Sequence, residues 1–207
     1  MNDQFEQKYW EERYKEKLGS GQGSRGELLK FKAQYLNDLF AKYGVESVFD
    51  FGCGDGHMVN LLNCKQYFGV DISLSAVQQC REMVKKENFI FEQGHFGNYS
   101  AATIKRKFNG LFGADVGAVM SIDVLYHVMD EHLVEFVLQA MFGAGAKLVV
   151  TYTIPNQKMD GSKHGGIFHF NTDRILDQVT QGYLLVATTQ PRGISGASFN
   201  VWRQNVK

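Results

Sequence analysis

Seven consecutive residues, Asp50-Phe51-Gly52-Cys53-Gly54-Asp55-Gly56, hold the densest chemistry in the chain. Glycine at three alternate positions removes each Cβ that would keep a ligand off the backbone, and it tolerates positive φ. A short β-rich run, VESVFDF (45–51), leads into these residues, and HMVNLLN follows with helical character. The turn therefore joins a strand to a helix, where α/β proteins bind nucleotide-like cofactors. Asp71 ends a second β-rich run, YFGVD (67–71). There a carboxylate can accept hydrogen bonds from both hydroxyls of a ribose. Ile72, beside it, offers an apolar surface to an adenine.

Two cofactor classes use such a turn. A dinucleotide fingerprint, G-x-G-x-x-G, needs its third glycine at position 57, which is His57, and Asp55 would set a carboxylate beside the pyrophosphate. S-adenosylmethionine has no phosphate and carries an ammonium and a sulfonium, which nearby carboxylates favour. The acidic turn thus points to S-adenosylmethionine, with S-adenosylhomocysteine as product, ahead of a nicotinamide cofactor and hydride transfer.

The elements that must position these residues alternate. Leu28, Phe31, Tyr35, Leu36, Leu39, Phe40 and Tyr43 recur at helical spacing, and Gly44 ends that helix. After the second strand, Ser73 caps a helix whose Leu74, Val77, Cys80 and Val84 are expected to face inward. FIFEQ (89–93) reads as a strand, SAATIKRKF (100–108) as a helix and VGAVMSI (116–122) as a buried strand. Asp130 caps a further apolar helix, and KLVVTYT (147–153) is a fifth strand. The rhythm then breaks. A helix near 173–181 is closed by Gly182, and YLLVATT (183–189) and SFNVWRQ (198–204) lack a helix between them, so they should pair antiparallel. The expectation is a single α/β domain over 1–207, a Rossmann-like, doubly wound sheet of seven mostly parallel strands with an antiparallel C-terminal hairpin, preceded by N-terminal helices. Within it, 1–44 forms a helical lid and support, 45–154 the cofactor-binding core, and 155–207 the substrate-side loop, helix and hairpin.

On these residues the chain resembles the class I S-adenosylmethionine-dependent methyltransferases. D-F-G-C-G-D-G stands as their glycine motif, GVDIS as the acidic strand end, ADVGAVMSIDVLYHV as the fourth strand and its loop, and KLVVTYT as the fifth strand. The resemblance implies cofactor contacts from Asp50, Gly52, Cys53, Gly54, Gly56, Asp71 and Ile72, and from Ser121 and Asp123 at the fourth strand. The stretch Y-W-x-x-R-Y with G-S-G-Q-G-S-R-G is similar to a group of small bacterial and phage members in which it folds over the cofactor. That implies contacts from Trp10, Arg13, Tyr14 and Arg25. Many relatives hold the adenine amino group with an acidic residue after the third strand. This chain has Gly94 and His95 there, so backbone groups or His95 are expected to take that role.

His127 and Tyr126, just past the fourth strand, are the candidate base and acceptor contact, because the loops at the switch point of such sheets hold the chemistry. The loop from Pro155 to Asn171 opens at the same edge. Lys158, Lys163, His164 and His169, with Arg174 beyond, face only Asp160 and Asp173, which points to an acceptor with a carboxylate, phosphate or acidic hydroxyl. Where base amino-methyltransferases of this fold have D-P-P-Y, this chain reads Asp123-Val124-Leu125-Tyr126. Lys and Arg (22) cancel Asp and Glu (22), so no overall field attracts nucleic acid or an anionic membrane. Both observations favour a small-molecule acceptor at an oxygen or nitrogen, with methylation of a nucleic acid or protein as an alternative. A non-catalytic S-adenosylmethionine or nucleotide-binding module acting through a partner is the rival from another class. No histidine pair has the i, i+4 spacing of a helical zinc site, and Cys53, Cys64 and Cys80 form no C-x-x-C, so no metal is expected. Neither a signal-like amino terminus nor an apolar run of membrane-spanning length is present, and a cytoplasmic protein is the expectation. The oligomeric state is left open.

Overall fold

A computed structural model describes residues 3–154, 172–191 and 195–205. Helices α1 (Asp3–Lys15) and α2 (Gly26–Tyr43) precede strand β1 (Ser47–Phe51). There follow α3 (His57–Asn60), β2 (Gln66–Asp71), α4 (Leu74–Met83), β3 (Phe89–Gln93), α5 (Ala101–Phe112), β4 (Ala118–Ile122), α6 (Glu131–Gly143), β5 (Leu148–Thr153), α7 (Thr172–Val179), β6 (Tyr183–Thr189) and β7 (Ser198–Gln204). The seven strands form one sheet in the order β3-β2-β1-β4-β5-β7-β6. β1 to β5 are mutually parallel, while β7 runs antiparallel to both β5 and β6. This is the expected doubly wound sheet with its C-terminal hairpin.

The strands alternate two buried faces. On β1, Phe49 and Phe51 join one core with residues of α5, α6 and α7, whereas Val48 joins the other with residues of α2, α3 and α4. β4 and β5 divide likewise, Val119 and Val149 on the first face and Met120 and Val150 on the second. Both faces being apolar explains why these strands read as continuous hydrophobic runs, and each large side chain so buried contributes about 1.5–3 kcal/mol. The caps behave as read: Ser73 and Ser100 accept from backbone N–H groups three residues on, Asp130 accepts from that of His132, and Gly44 ends α2 in the left-handed region at φ 61°.

Two expectations fail locally. HMVNLLN forms only the single turn α3, because Lys65 and Gln66 both donate to the Glu46 carbonyl (2.8 and 3.0 Å) and draw the chain back to begin β2. Leu74 does not face inward. It is 46% exposed, because α4 begins past the end of β2, and its buried face starts at Ala76 and Val77. The residues that carried the basic-loop reading, Lys158, Asp160, Lys163, His164 and His169, lie outside the described residues, as do the side chains of Asp173 and Arg174. Among the described residues no helix is long and apolar enough to cross a membrane.

One strand residue sits under the site. A Cβ on Gly69 of β2 would lie 2.7 Å from Cys53 Cβ and from the Tyr67 ring. Gly69→Ala is therefore expected to push on the Cys53 backbone and to destabilise the protein by about 1–3 kcal/mol in urea denaturation. An unchanged midpoint would show that the loop after β1 is not packed against β2 as described.

Candidate active site

The loop after β1 takes the shape its glycines allow. Gly52, Gly54 and Gly56 have φ of 86°, 60° and 87°, the left-handed region that residues with a Cβ avoid. A Cβ at Gly52 would fall 2.2 Å from Val124 Cγ2. Gly52 and Cys53 donate to the Val70 carbonyl (2.8 and 3.0 Å), and Gly54 N–H donates to Asp71 Oδ2 (2.9 Å). Asp71 Oδ1 accepts from Ser73 N–H (3.0 Å). Each Asp71 oxygen thus spends one lone pair on the backbone and keeps capacity for another donor.

Asp71 stands in the wall of a cleft at the C-terminal ends of the parallel strands. The cleft encloses about 880 Å³ of empty space, its open mouth included, within the range of a cofactor site. Of the residues expected to bind the cofactor, Gly52, Cys53, Gly54, Asp71, Ile72, Trp10, Tyr14, His95 and Asp123 line it, and so does His127. Phe96, Val124, Val128 and Leu133 complete its apolar side. Asp50, Gly56, Ser121 and Tyr126 stand behind the walls, and Arg13 and Arg25 lie on the N-terminal segment outside the lining. Asp50 is fully buried and accepts from Tyr67 Oη (2.5 Å). Gly56 packs on Cys80, and Ser121 is buried in β4. Tyr126 donates to Asp123 Oδ1 (2.7 Å), which burial and that carboxylate accompany by pushing its hydroxyl far above the ordinary tyrosine range.

The N-terminal segment contributes Glu6, Trp10, Tyr14, Ser20, Gly23 and Ser24 to the cleft lining. On α1, Trp10 lies edge-to-face on His127 at 5.1 Å, and Tyr14 shares a hydrogen bond with Ser20 Oγ (2.9 Å). Arg13 Nε donates to the Gly19 carbonyl (2.8 Å), and its guanidinium lies 6.0 Å from the Trp10 ring. The strap 19–26 is fastened to the glycine loop through Asp55, which accepts from Ser20 N–H (3.1 Å), from Arg25 (2.6 Å) and from His57 Nδ1 (3.0 Å). Burial alone would raise the Asp55 carboxyl, but Arg25 and the other donors outweigh it and hold it at about 2. The His95 ring accepts from Gly97 N–H (3.2 Å) and so shapes the turn after β3.

Several anchors carried no sequence expectation. Glu11 accepts from the hydroxyls of Ser73 and Ser75 (2.7 Å each), which ties α1 to the start of α4, and Glu6 accepts from Met129 N–H. Lys32 is 1% exposed and paired with Asp123 at the cleft wall. The one legible sign of it is its place in the stripe of α2, four residues from Leu28 and four from Leu36, where an apolar residue belongs.

A family profile described as "Methyltransferase domain" matches residues 45–163, and the chain belongs to that family. It is a methyltransferase, and S-adenosylmethionine is its methyl donor. Solved structures share the fold at low identity. The N-methyltransferase NodS from Bradyrhizobium japonicum WM9, in complex with S-adenosyl-L-homocysteine, superposes with a TM-score of 0.73 at 13% identity, over 97% of this chain and 99% of that one. Magnesium protoporphyrin IX methyltransferase (ChlM) from Synechocystis PCC 6803 gives 0.66 at 15%, over 96% and 98%. The methyltransferase domain of a bacterial Hen1, CtHen1-C, gives 0.61 at 16%, over 84% and 97%. No curated protein matches the chain in sequence.

Burial of Asp50 has a measurable consequence. It pushes that carboxyl up to about 7 despite the Tyr67 hydrogen bond, with Asp71 adding to the rise, from an ordinary value of about 3.9. A carboxyl raised by folding holds an extra proton in the folded state, so it subtracts stability as pH climbs from about 4 to 7. Asp50→Asn keeps an acceptor for Tyr67 and removes that loss. The stability of the variant relative to wild type should therefore rise by roughly 2–3 kcal/mol between pH 5 and pH 8 in urea denaturation. A gap that does not change with pH would contradict the raised carboxyl.

Proposed function

We propose that the cleft holds S-adenosylmethionine with its ribose on Asp71 and its methionine end along the Gly52–Gly56 loop, and passes the methyl group to an oxygen or nitrogen of a polar small molecule. The observation that carries this reading is the Asp71 carboxylate: both oxygens are fixed by backbone amides, and it is only 7% exposed in the wall of the cleft. Burial raises it to about 6 against the hydrogen bonds from Ser73 and Gly54, so it is largely ionised at neutral pH and ready to accept two hydroxyl protons. Ile72, Phe96, Val128 and Leu133 then form the apolar bed for the adenine, beside His95. Glu6, Asp55, Asp71 and Asp123 against Lys32 leave the lining acidic, which favours a cationic donor.

The cofactor supplies a methyl group activated on a sulfonium. What remains for the chain is to exclude water, align the acceptor and remove a proton where the acceptor carries one. Trp10 and Tyr14, closing from α1, present aromatic faces near which a positive sulfonium is stabilised. Residues 1–44 act as lid and support, and 45–154 as the binding core. His127, packed on Trp10 in the same wall, is placed to take the proton, while Tyr126 acts from behind through Asp123. The covered mouth and the balanced net charge support a small acceptor over a nucleic acid. The described lining supports a polar acceptor; the anionic character expected from the loop after Pro155 has no counterpart among these residues.

The test is a screen of small-molecule acceptors with methyl-labelled S-adenosylmethionine. Label should appear in a low-molecular-weight product. With that acceptor, His127→Ala should lower turnover by about 10²-fold while leaving S-adenosylhomocysteine affinity within a few-fold. Full turnover in a folded His127→Ala protein would remove the histidine from the proton transfer. Label found only in protein or nucleic acid would overturn the small-molecule reading.

A further inference from the structure

Lys32 is out of place in purely structural terms. It sits in the apolar face of α2 with Leu36 and Leu39 buried along the same side, yet it carries a charge that must be stripped of water. A buried ion pair gains little over a well-packed apolar residue of similar volume. Its ammonium donates to the Gly23 carbonyl (2.7 Å) and to Asp123 Oδ2, and it lies 4.5 Å from the centre of the Tyr152 ring. Two hydrogen bonds and the ring face thus hold the ammonium in place. What it does is join three pieces of chain: the strap at Gly23, the loop after β4 at Asp123 and the end of β5 at Tyr152.

The partner is unusual as well. Asp123 has φ 62°, one of two non-glycine residues in the left-handed region among those described, a strained backbone state that persists where the surroundings enforce it. Its N–H donates to the Tyr152 carbonyl (3.1 Å), and its carboxylate takes Lys32 on one oxygen and Tyr126 on the other. A Cβ on Gly23 would lie 3.7 Å from both Lys32 Nζ and Asp123 Oδ2, so strap and pair are in direct contact. On either side of Gly23 the strap is fastened independently, by Ser20 and Arg25 on Asp55.

We propose that Lys32 is a positioning residue for cofactor capture: acting through Gly23 and Asp123, it holds the strap 19–26 closed across the cleft and so sets how tightly the cofactor is retained. This rests on the reading that the cleft takes S-adenosylmethionine. The strap contributes Ser20, Gly23 and Ser24 to the cleft wall, and a ligand enclosed by them cannot leave until they move. If only a fraction of molecules holds the strap closed, apparent affinity falls by that fraction. The Asp55 anchor ties the strap to the cofactor loop, whereas Lys32 ties it to the β4 side. Loss of Lys32 should therefore free the middle of the strap around Gly23, between its two fastenings on Asp55.

The experiment is calorimetric titration of S-adenosylhomocysteine into the full chain, with amide hydrogen exchange over residues 19–26, for wild type, Lys32→Met and the double variant Lys32→Met/Asp123→Asn. The double variant leaves neither charge unpaired, so it separates capture from folding, and because Asp123 itself lines the cleft, exchange of the strap together with affinity, not affinity alone, assigns the loss to the strap. It is expected to melt close to wild type yet bind S-adenosylhomocysteine about tenfold or more weakly, with the strap exchanging as fast in the presence of ligand as in its absence. Wild-type affinity and ligand-induced protection of the strap in the double variant would overturn the proposal. So would failure of the double variant to fold, which would assign the pair to the core. Absence of binding in the wild type would instead contradict the cofactor reading.

Discussion

The hydrogen bond from Gly54 N–H to Asp71 joins the two parts of the molecule on which every other feature of the site depends. It can form only because β1 and β2 lie side by side in parallel register and because the turn after β1 passes through three left-handed residues. A side chain at Gly52 would collide with Val124, and one at Gly54 would come within 2.7 Å of Ser20 Oγ. The glycines therefore make room for the strap at Ser20 and for the loop after β4 at Val124. The same backbone path lets Ser20 and Arg25 of the strap reach Asp55.

Charge is arranged around this contact in a graded way. Asp55, answered by Arg25, stays ionised down to about 2, whereas burial lifts Asp71 to about 6 and Asp50 to about 7. Asp55 is thus a permanent anchor for the strap. Asp50 and Asp71 are costly charges, each raised by burial. On the opposite wall the Lys32–Asp123 pair supplies a second fastening of different chemistry, buried and paired within itself. The N-terminal region is held by acids at each level: Glu6 on Met129, Glu11 on Ser73 and Ser75, and Asp55 on the strap.

The central strands were legible in the amino-acid sequence because both faces of the sheet are apolar there, and the edge strand β6, with Leu184 and Leu185 exposed, because its run is β-rich; β3, β6 and β7 begin and end at the residues read for them. The glycine turn was legible because no apolar packing need explains three alternate glycines with Asp50 and Asp55 among them. α3 was not, since its length depends on where the Glu46 carbonyl draws the chain back, a tertiary contact without local signature. Leu74 misled for a related reason: helical periodicity specifies a face and is silent on where the sheet beneath it stops. The pairings of Lys32 and Glu11 span 91 and 62–64 residues, and only the intrusion of a lysine into an apolar stripe marked the first. Which of the expected residues line the cleft and which stand behind it, as Asp50 and Tyr126 do, depends on strand register and on the left-handed turn at Asp123.

The central claim, that Asp71 on the Gly54 amide is the seat of the cofactor ribose, is tested most directly by titrating S-adenosylhomocysteine into wild type and Asp71→Ala in a calorimeter at pH 8, where the carboxylate is ionised. The account predicts measurable binding by the wild type and a loss of about 1–3 kcal/mol in the folded variant, the cost of leaving two hydroxyls without their acceptor. Equal affinity in the two proteins would contradict it.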